Sequence, residues 1–254
     1  MIHRSVFAAA GSCVAVGAAV LGPGAGARGA VIDLTTNETG SANGALFQRA
    51  DFRPAGTGFI NSFVRIQTND GVEQGYNTSG RPAPFDDNNA VPFTRNITFG
   101  QVPTVSFNGT DYKEFILDIN QNNAHPLLSL DMIKVFTSTT GSQTTTNVSS
   151  LGTLRYDLDA GGDNEVLLDA SRTSGSGQGD MFLMVPVSAF GSTASSDFVY
   201  LYSLFGQNNP NNGGFEEWAI RESTALVPLP PGAWAGVWTL GAIALLRRRN
   251  WRRV

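Results

Sequence analysis

The chain has 254 residues, with 17 lysines and arginines against 21 aspartates and glutamates and a formal net charge of −4. It carries one cysteine, Cys13, and two histidines, His3 and His125. That inventory excludes disulfide scaffolds and multi-histidine metal centres, and the acidic balance argues against a phosphate-backbone partner, so no nucleic acid is expected.

The first thirty residues read MIHRSVFAAAGSCVAVGAAVLGPGAGARGA: a charged start, an apolar stretch from Val6 to Leu21, then small residues. This order predicts a signal peptide over 1–30, cut after Ala25-Gly26-Ala27 or near Ala30. The alternative is a retained anchor helix, which Gly11, Gly17, Gly22 and Pro23 would weaken. Cys13 lacks the leucine of a lipobox before it. Seven basic residues (Arg4, Arg28 and five arginines at the C-terminus) lie outside 31–222. The remaining ten face all 21 acidic residues, a net charge of −11. About 190 residues suffice for one domain that buries most of its apolar surface without disulfides.

Within 31–222, YKEFILDIN (112–120) places Phe115, Leu117 and Ile119 on one face and Glu114 and Asp118 on the other. DMIKVFTST (131–139) alternates Met132, Lys134 and Phe136 against Ile133 and Val135. Period-2 alternation of this kind predicts strands. DFVYLYSLF (197–205) is apolar on both faces and predicts a central strand covered on both sides. GFEEWAIRE (214–222) resumes the alternation, with Trp218 and Ile220 opposite Glu217. Between strands, NTSGRPAPFDDNNAVP is too proline-rich for a strand, and TSTTGSQTTTNVSSLG reads as a long hairpin loop. Short strands with Gly/Asn turns, and no convincing amphipathic helix, predict an all-β fold: a single jelly-roll-like β-sandwich over 31–222.

Few residues point to chemistry. Asp157, Asp159 and Asp163, with Asn164, set hard oxygen atoms around a glycine-rich turn, which suits Ca²⁺; the competing reading is a turn whose Asp and Asn cap their own backbone. The position matching the twelfth of a calcium-binding helix-loop-helix is Leu168, not an acid. His125 would have to serve any Ser-His-Asp triad, yet there is no G-x-S-x-G elbow, and Ser176 in SGSGQGD reads as part of a flexible loop. Adjacent Glu216 and Glu217 point to opposite faces of a strand and cannot form a glycosidase pair. Tyr76, Phe85 and Trp218 are candidates for stacking on sugars.

The tail, VPLPPGAWAGVWTLGAIALLRRRNWRRV, joins a proline motif, an apolar run and five arginines. From Val227 to Leu246 the apolar length approaches the roughly 20 residues of a membrane span, and the arginines hold their end on the cytoplasmic side. Pro228, Pro230 and Pro231 keep the motif extended and outside the helix. A permanent single-pass anchor on a stiff stalk is the alternative.

These three features in this order, over 223–254, resemble the PEP-CTERM sorting signal. The motif is Val227, Pro228, Leu229 and Pro230, a VPLP variant in which Leu229 stands where the family has glutamate. Arg247, Arg248, Arg249, Arg252 and Arg253 form the stop. The segments YDLDAGGDN, SGSGQGDM, FVYLYSLFG and GFEEW also look like those of all-β ectodomains in such proteins. The resemblance implies a precursor held in the inner membrane and processed by an exosortase. The product would belong to the cell surface or extracellular matrix of biofilm-forming Gram-negative bacteria, with extracellular polysaccharide as a possible partner. It brings no catalytic residues. Three function classes follow as expectations: a non-catalytic structural or adhesive protein, a lectin-like carbohydrate-binding module with or without calcium, and, least favoured, a two-carboxylate glycoside hydrolase.

Overall fold

The computed structural model describes residues 29–50, 60–69, 71–172 and 179–221. The signal-peptide segment, Ser176 and everything from residue 222 onward, including the VPLP motif and the arginines, lie outside the described residues. Among the described residues no helix is long and apolar enough to cross a membrane.

The described chain forms strands and two short 3₁₀ turns, Val148–Ser150 and Val187–Phe190. In order, the strands are β1 Val31–Asp33, β2 Thr39–Ala42, β3 Ala45–Arg49, β4 Ile60–Ile66, β5 Glu73–Tyr76, β6 Ile97–Thr98 and β7 Thr104–Phe107. They continue as β8 Thr110–Asp118, β9 Leu127–Ser138, β10 Thr153–Asp157, β11 Glu165–Asp169, β12 Met181–Pro186, β13 Phe198–Phe205 and β14 Glu216–Arg221.

Two sheets result, a sandwich-like all-β architecture. The first runs β1-β11-β9-β13-β5, with β10 also on β9 and β6 also on β13. The length of β9 explains the branching: Leu127 to Leu130 pair with β11, and Lys134 to Thr137 pair with β10. The second sheet runs β2-β3-β12-β8-β14-β4, with β7 also on β8. All pairings are antiparallel except β1 with β11, where Val31 to Asp33 run alongside Glu165 to Leu167.

The main core draws on both sheets: Phe47, Phe63, Phe115, Leu117 and Trp218 from the second meet Leu130, Ile133, Val135, Leu201 and Phe205 from the first. Trp218 is fully buried, and its indole N–H donates to Ser203 Oγ at 3.1 Å, a polar tie between sheets. The alternation read from DMIKVFTST holds. Ile133 and Val135 enter this core, while Met132 and Phe136 join a second cluster with Tyr76, Tyr200 and Tyr202. β13 is central, as its two apolar faces require, with β9 on one side and β5 and β6 on the other.

Both proline-rich and threonine-rich segments are loops, and they cover the outer face of the first sheet. Phe85 packs edge-on against Tyr76 and Tyr202 at ring separations of 6.2 and 6.0 Å. The Tyr76 hydroxyl donates to Thr145 O at 2.9 Å and Tyr200 to Thr140 O at 2.8 Å. Gly75 permits a close approach in the same region, because a Cβ there would lie 2.0 Å from Asp87 Oδ1.

Candidate functional site

The acidic turn between β10 and β11 is knit mainly by its own polar groups. Asp157 forms an ion pair with Lys134 through Oδ2, and its Oδ1 accepts the Asp159 N–H at 3.0 Å. Asp159 Oδ1 accepts the Asn164 N–H at 3.0 Å, and Asn164 Nδ2 donates to Leu158 O at 2.6 Å. From outside, Asn43 Nδ2 donates to Asp157 O and Leu158 O at 3.0 and 2.6 Å. Asp163 is exposed. Burial, with Asp157 and Asp163 nearby, pushes the Asp159 carboxyl up, against the pull of the Asn164 N–H and Lys134. Asp157 and Asp159 thus come together on one turn, the first paired with a lysine and the second capping backbone. Among the described residues no three His, Cys, Asp or Glu side chains gather closely enough to hold a metal ion.

The remaining sequence candidates are dispersed. His125 is exposed, its N–H donating to Asn122 Oδ1 at 3.0 Å. It lines a cleft of about 460 Å³ with Ala124, Pro126, Leu127 and the run Asn209 to Asn212. Glu216 and Glu217 do point to opposite faces: Glu217 accepts from Arg65 Nη2 at 2.7 Å and Ser62 Oγ at 2.9 Å, while Glu216 turns inward. The stacking aromatics need correcting. Tyr76 and Trp218 are fully buried, one beneath loops and one between sheets, and Phe85 is drawn into the tyrosine cluster. Their apolar area is spent on packing.

What sequence reasoning missed is a set of buried acids. Glu73 and Glu216 are 1% and 0% exposed. Glu73 Oε2 accepts the Thr68 N–H at 3.0 Å and Asn211 Nδ2 at 2.7 Å. Gln121 Nε2 donates to Glu216 Oε1 at 2.7 Å and to Asn211 Oδ1 at 3.3 Å. One polar chain therefore runs Glu73, Asn211, Gln121, Glu216. Burial pushes the Glu73 carboxyl up to about 8, with a smaller push from Asp86 and an opposing pull from the Thr68 N–H. Burial also raises Asp87 to about 8, while Tyr76 N–H and Arg81 oppose and Asp86 adds. Asp180, whose Oδ2 accepts the Ile119 N–H at 2.8 Å, is likewise raised by burial. The signal for Glu216 was present, since strand alternation puts it on the Trp218 face. Glu73 had none, because EQGY is too short and polar to read as a strand.

No family model matches the chain, and no curated protein or solved structure matches it either.

Proposed function

We propose that the protein is an exported, non-catalytic surface or extracellular-matrix component with a structural or adhesive role, sorted through residues 223–254. The observation that carries the reading is the order of the C-terminal segment: VPLP at 227–230, an apolar run, then Arg247, Arg248, Arg249, Arg252 and Arg253. A signal peptide over 1–30 sends the chain outward, the apolar run holds the precursor in the inner membrane, and an exosortase grips the extended proline motif. A two-sheet all-β body in which β11 to β14 alternate between the sheets is compatible with this role. Burial of Tyr76 and Trp218 favours a structural role over sugar stacking.

Peptide mass mapping of protein recovered from the cell surface tests the reading. Mature protein is expected to end within or just before Val227 to Pro231. Recovery of peptides reaching Trp251 would establish a permanent anchor instead. Neutral replacements at Arg247 to Arg249 are expected to reduce retention of the precursor.

A further inference from the structure

The first two described residues, Gly29 and Ala30, already belong to the fold. The Ala30 N–H donates to Asn164 Oδ1 at 2.7 Å, and the Ala30 carbonyl accepts the Glu165 N–H at 3.1 Å. That second bond opens the parallel ladder that continues with Val31 beside Glu165 and ends with the Leu34 N–H on Leu167 O at 3.0 Å. Gly29 lies so close to the acidic turn that a Cβ on it would stand 1.2 Å from the Asp163 carbonyl oxygen. Only glycine fits there. Asn164 is buried, and its Nδ2 donates to Leu158 O at 2.6 Å, which clamps the amide with Oδ1 toward Ala30.

These contacts bear on which peptide bond a signal peptidase cuts. The sequence allows a cut after Ala25-Gly26-Ala27 or one near Ala30. A cut after Ala30 would discard Gly29 and Ala30 with the signal peptide. Asn164 Oδ1 would lose its donor inside the turn, and the Glu165 N–H would lose its acceptor. It would also set Arg28 where the A-x-A pattern requires a small residue. A cut after Ala27 satisfies that pattern and keeps both docked residues.

We propose that the scissile bond is Ala27–Arg28, and that the turn between β10 and β11 is the dock for the N-terminus created there. The inference rests on the export through a signal peptide proposed above. Hydrolysis breaks the amide between the Ala27 carbonyl carbon and the Arg28 nitrogen. Water gives its hydroxyl to the Ala27 carbonyl carbon and its remaining proton to the Arg28 amine. The mature chain then begins Arg28-Gly29-Ala30, one residue ahead of the docked pair. Cleavage turns a neutral amide into an ammonium, on the residue next to the glycine that touches Asp163. Asp163 is exposed and forms no ion pair among the described residues, so its carboxylate is open to that new charge. Processing thus tightens the dock, and the glycine-rich turn gains a partner from its own chain.

Intact-mass measurement and N-terminal sequencing of the exported protein test the assignment. The chain is expected to begin at Arg28. A start at Val31, or at any other residue past the apolar stretch, overturns the proposal and leaves export standing. A chain that keeps Val6 to Leu21 overturns export as well. Gly29→Ala lies outside the Ala25-Gly26-Ala27 pattern, so this variant should be cut at the same bond. It should melt about 3 °C or more below the wild type, because the added Cβ forces the strand off the Asp163 carbonyl. An equal melt overturns the dock. Should Gly29→Ala fail to fold, Asp163→Asn serves, since that side chain is exposed. Without the carboxylate the ammonium gives up its proton more readily, so acylation of the Arg28 α-amine at pH 7 should run about twofold faster or more. An unchanged rate overturns the role given to Asp163.

Discussion

Arg65 shows how one side chain can carry three kinds of interaction. Its guanidinium carbon lies 3.5 Å from the Phe93 ring centre and 4.3 Å from that of Phe215, while Nη2 and Nε reach Glu217 Oε1 at 2.7 and 2.9 Å. A planar, weakly hydrated cation fits between rings in a way an ammonium does not. Glu217 is 4% exposed, so removing its partner strands a buried charge. Arg65→Ala is expected to cost about 2–4 kcal/mol in urea unfolding, and Arg65→Lys to recover only part of it. A double-mutant cycle with Glu217→Gln should show strong coupling, because both residues sit in one contact.

At the scale of elements, the acidic turn holds its shape through Lys134, Asn43 and Asn164. Losing the Asp159 carboxylate leaves the Asn164 N–H of a buried residue without its acceptor, so Asp159→Ala should cost about 1–3 kcal/mol. Because these partners fix the turn without an added ion, the loss should be equal in Ca²⁺ and in Na⁺ of matched ionic strength, as read from thermal melts. Strands were legible where the pattern ran long: alternation announces β8, β9 and β14, and an unbroken apolar run announces β13. Glu114 and Asp118 illustrate the limit. Their face of β8 reads as polar, yet they are 5% and 2% exposed, because β8 is central and Arg221 reaches across to Glu114 at 3.0 Å. Periodicity reports which face a residue occupies and not what covers that face. The same gap hid the tyrosine cluster, whose cover is a pair of loops with no periodicity of their own. The acidic turn was legible by composition alone, but whether its oxygens face an ion or the backbone is set by Lys134 and Asn43, far away in sequence.

For the whole molecule, buried acids make stability depend on pH in an unusual direction. The Asp87 carboxyl is raised to about 8, and Asp180 is raised too, both chiefly by burial. The native state therefore holds protons that the unfolded chain releases near its ordinary carboxylate range. Stability from these groups is full below that range and is lost as pH rises through about 8. In chelator, the melting temperature is expected to fall by about 5 °C or more between about pH 5 and pH 8.5. Asp87→Asn keeps an acceptor for the Tyr76 N–H and removes one titration, so its melting curve against pH should be flatter. A melt that instead rises steadily over this range would show that Asp87 is ionised in the folded protein.

The parallel pairing of β1 with β11 bears on when the fold can close. Val31 to Asp33 find their partners at Glu165 to Leu167, and the Ala30 N–H reaches Asn164 Oδ1 across 134 residues. Neither end of that contact is local, so the large loop must be gathered before the pairing yields anything. The strand made first is thus an edge that cannot dock until most of the sequence has followed it. A chain crossing a membrane from its N-terminus would keep β1 unpaired throughout transit. In such a transit β1 could pair only once β11 had followed, and the first sheet would still await its central strand, β13.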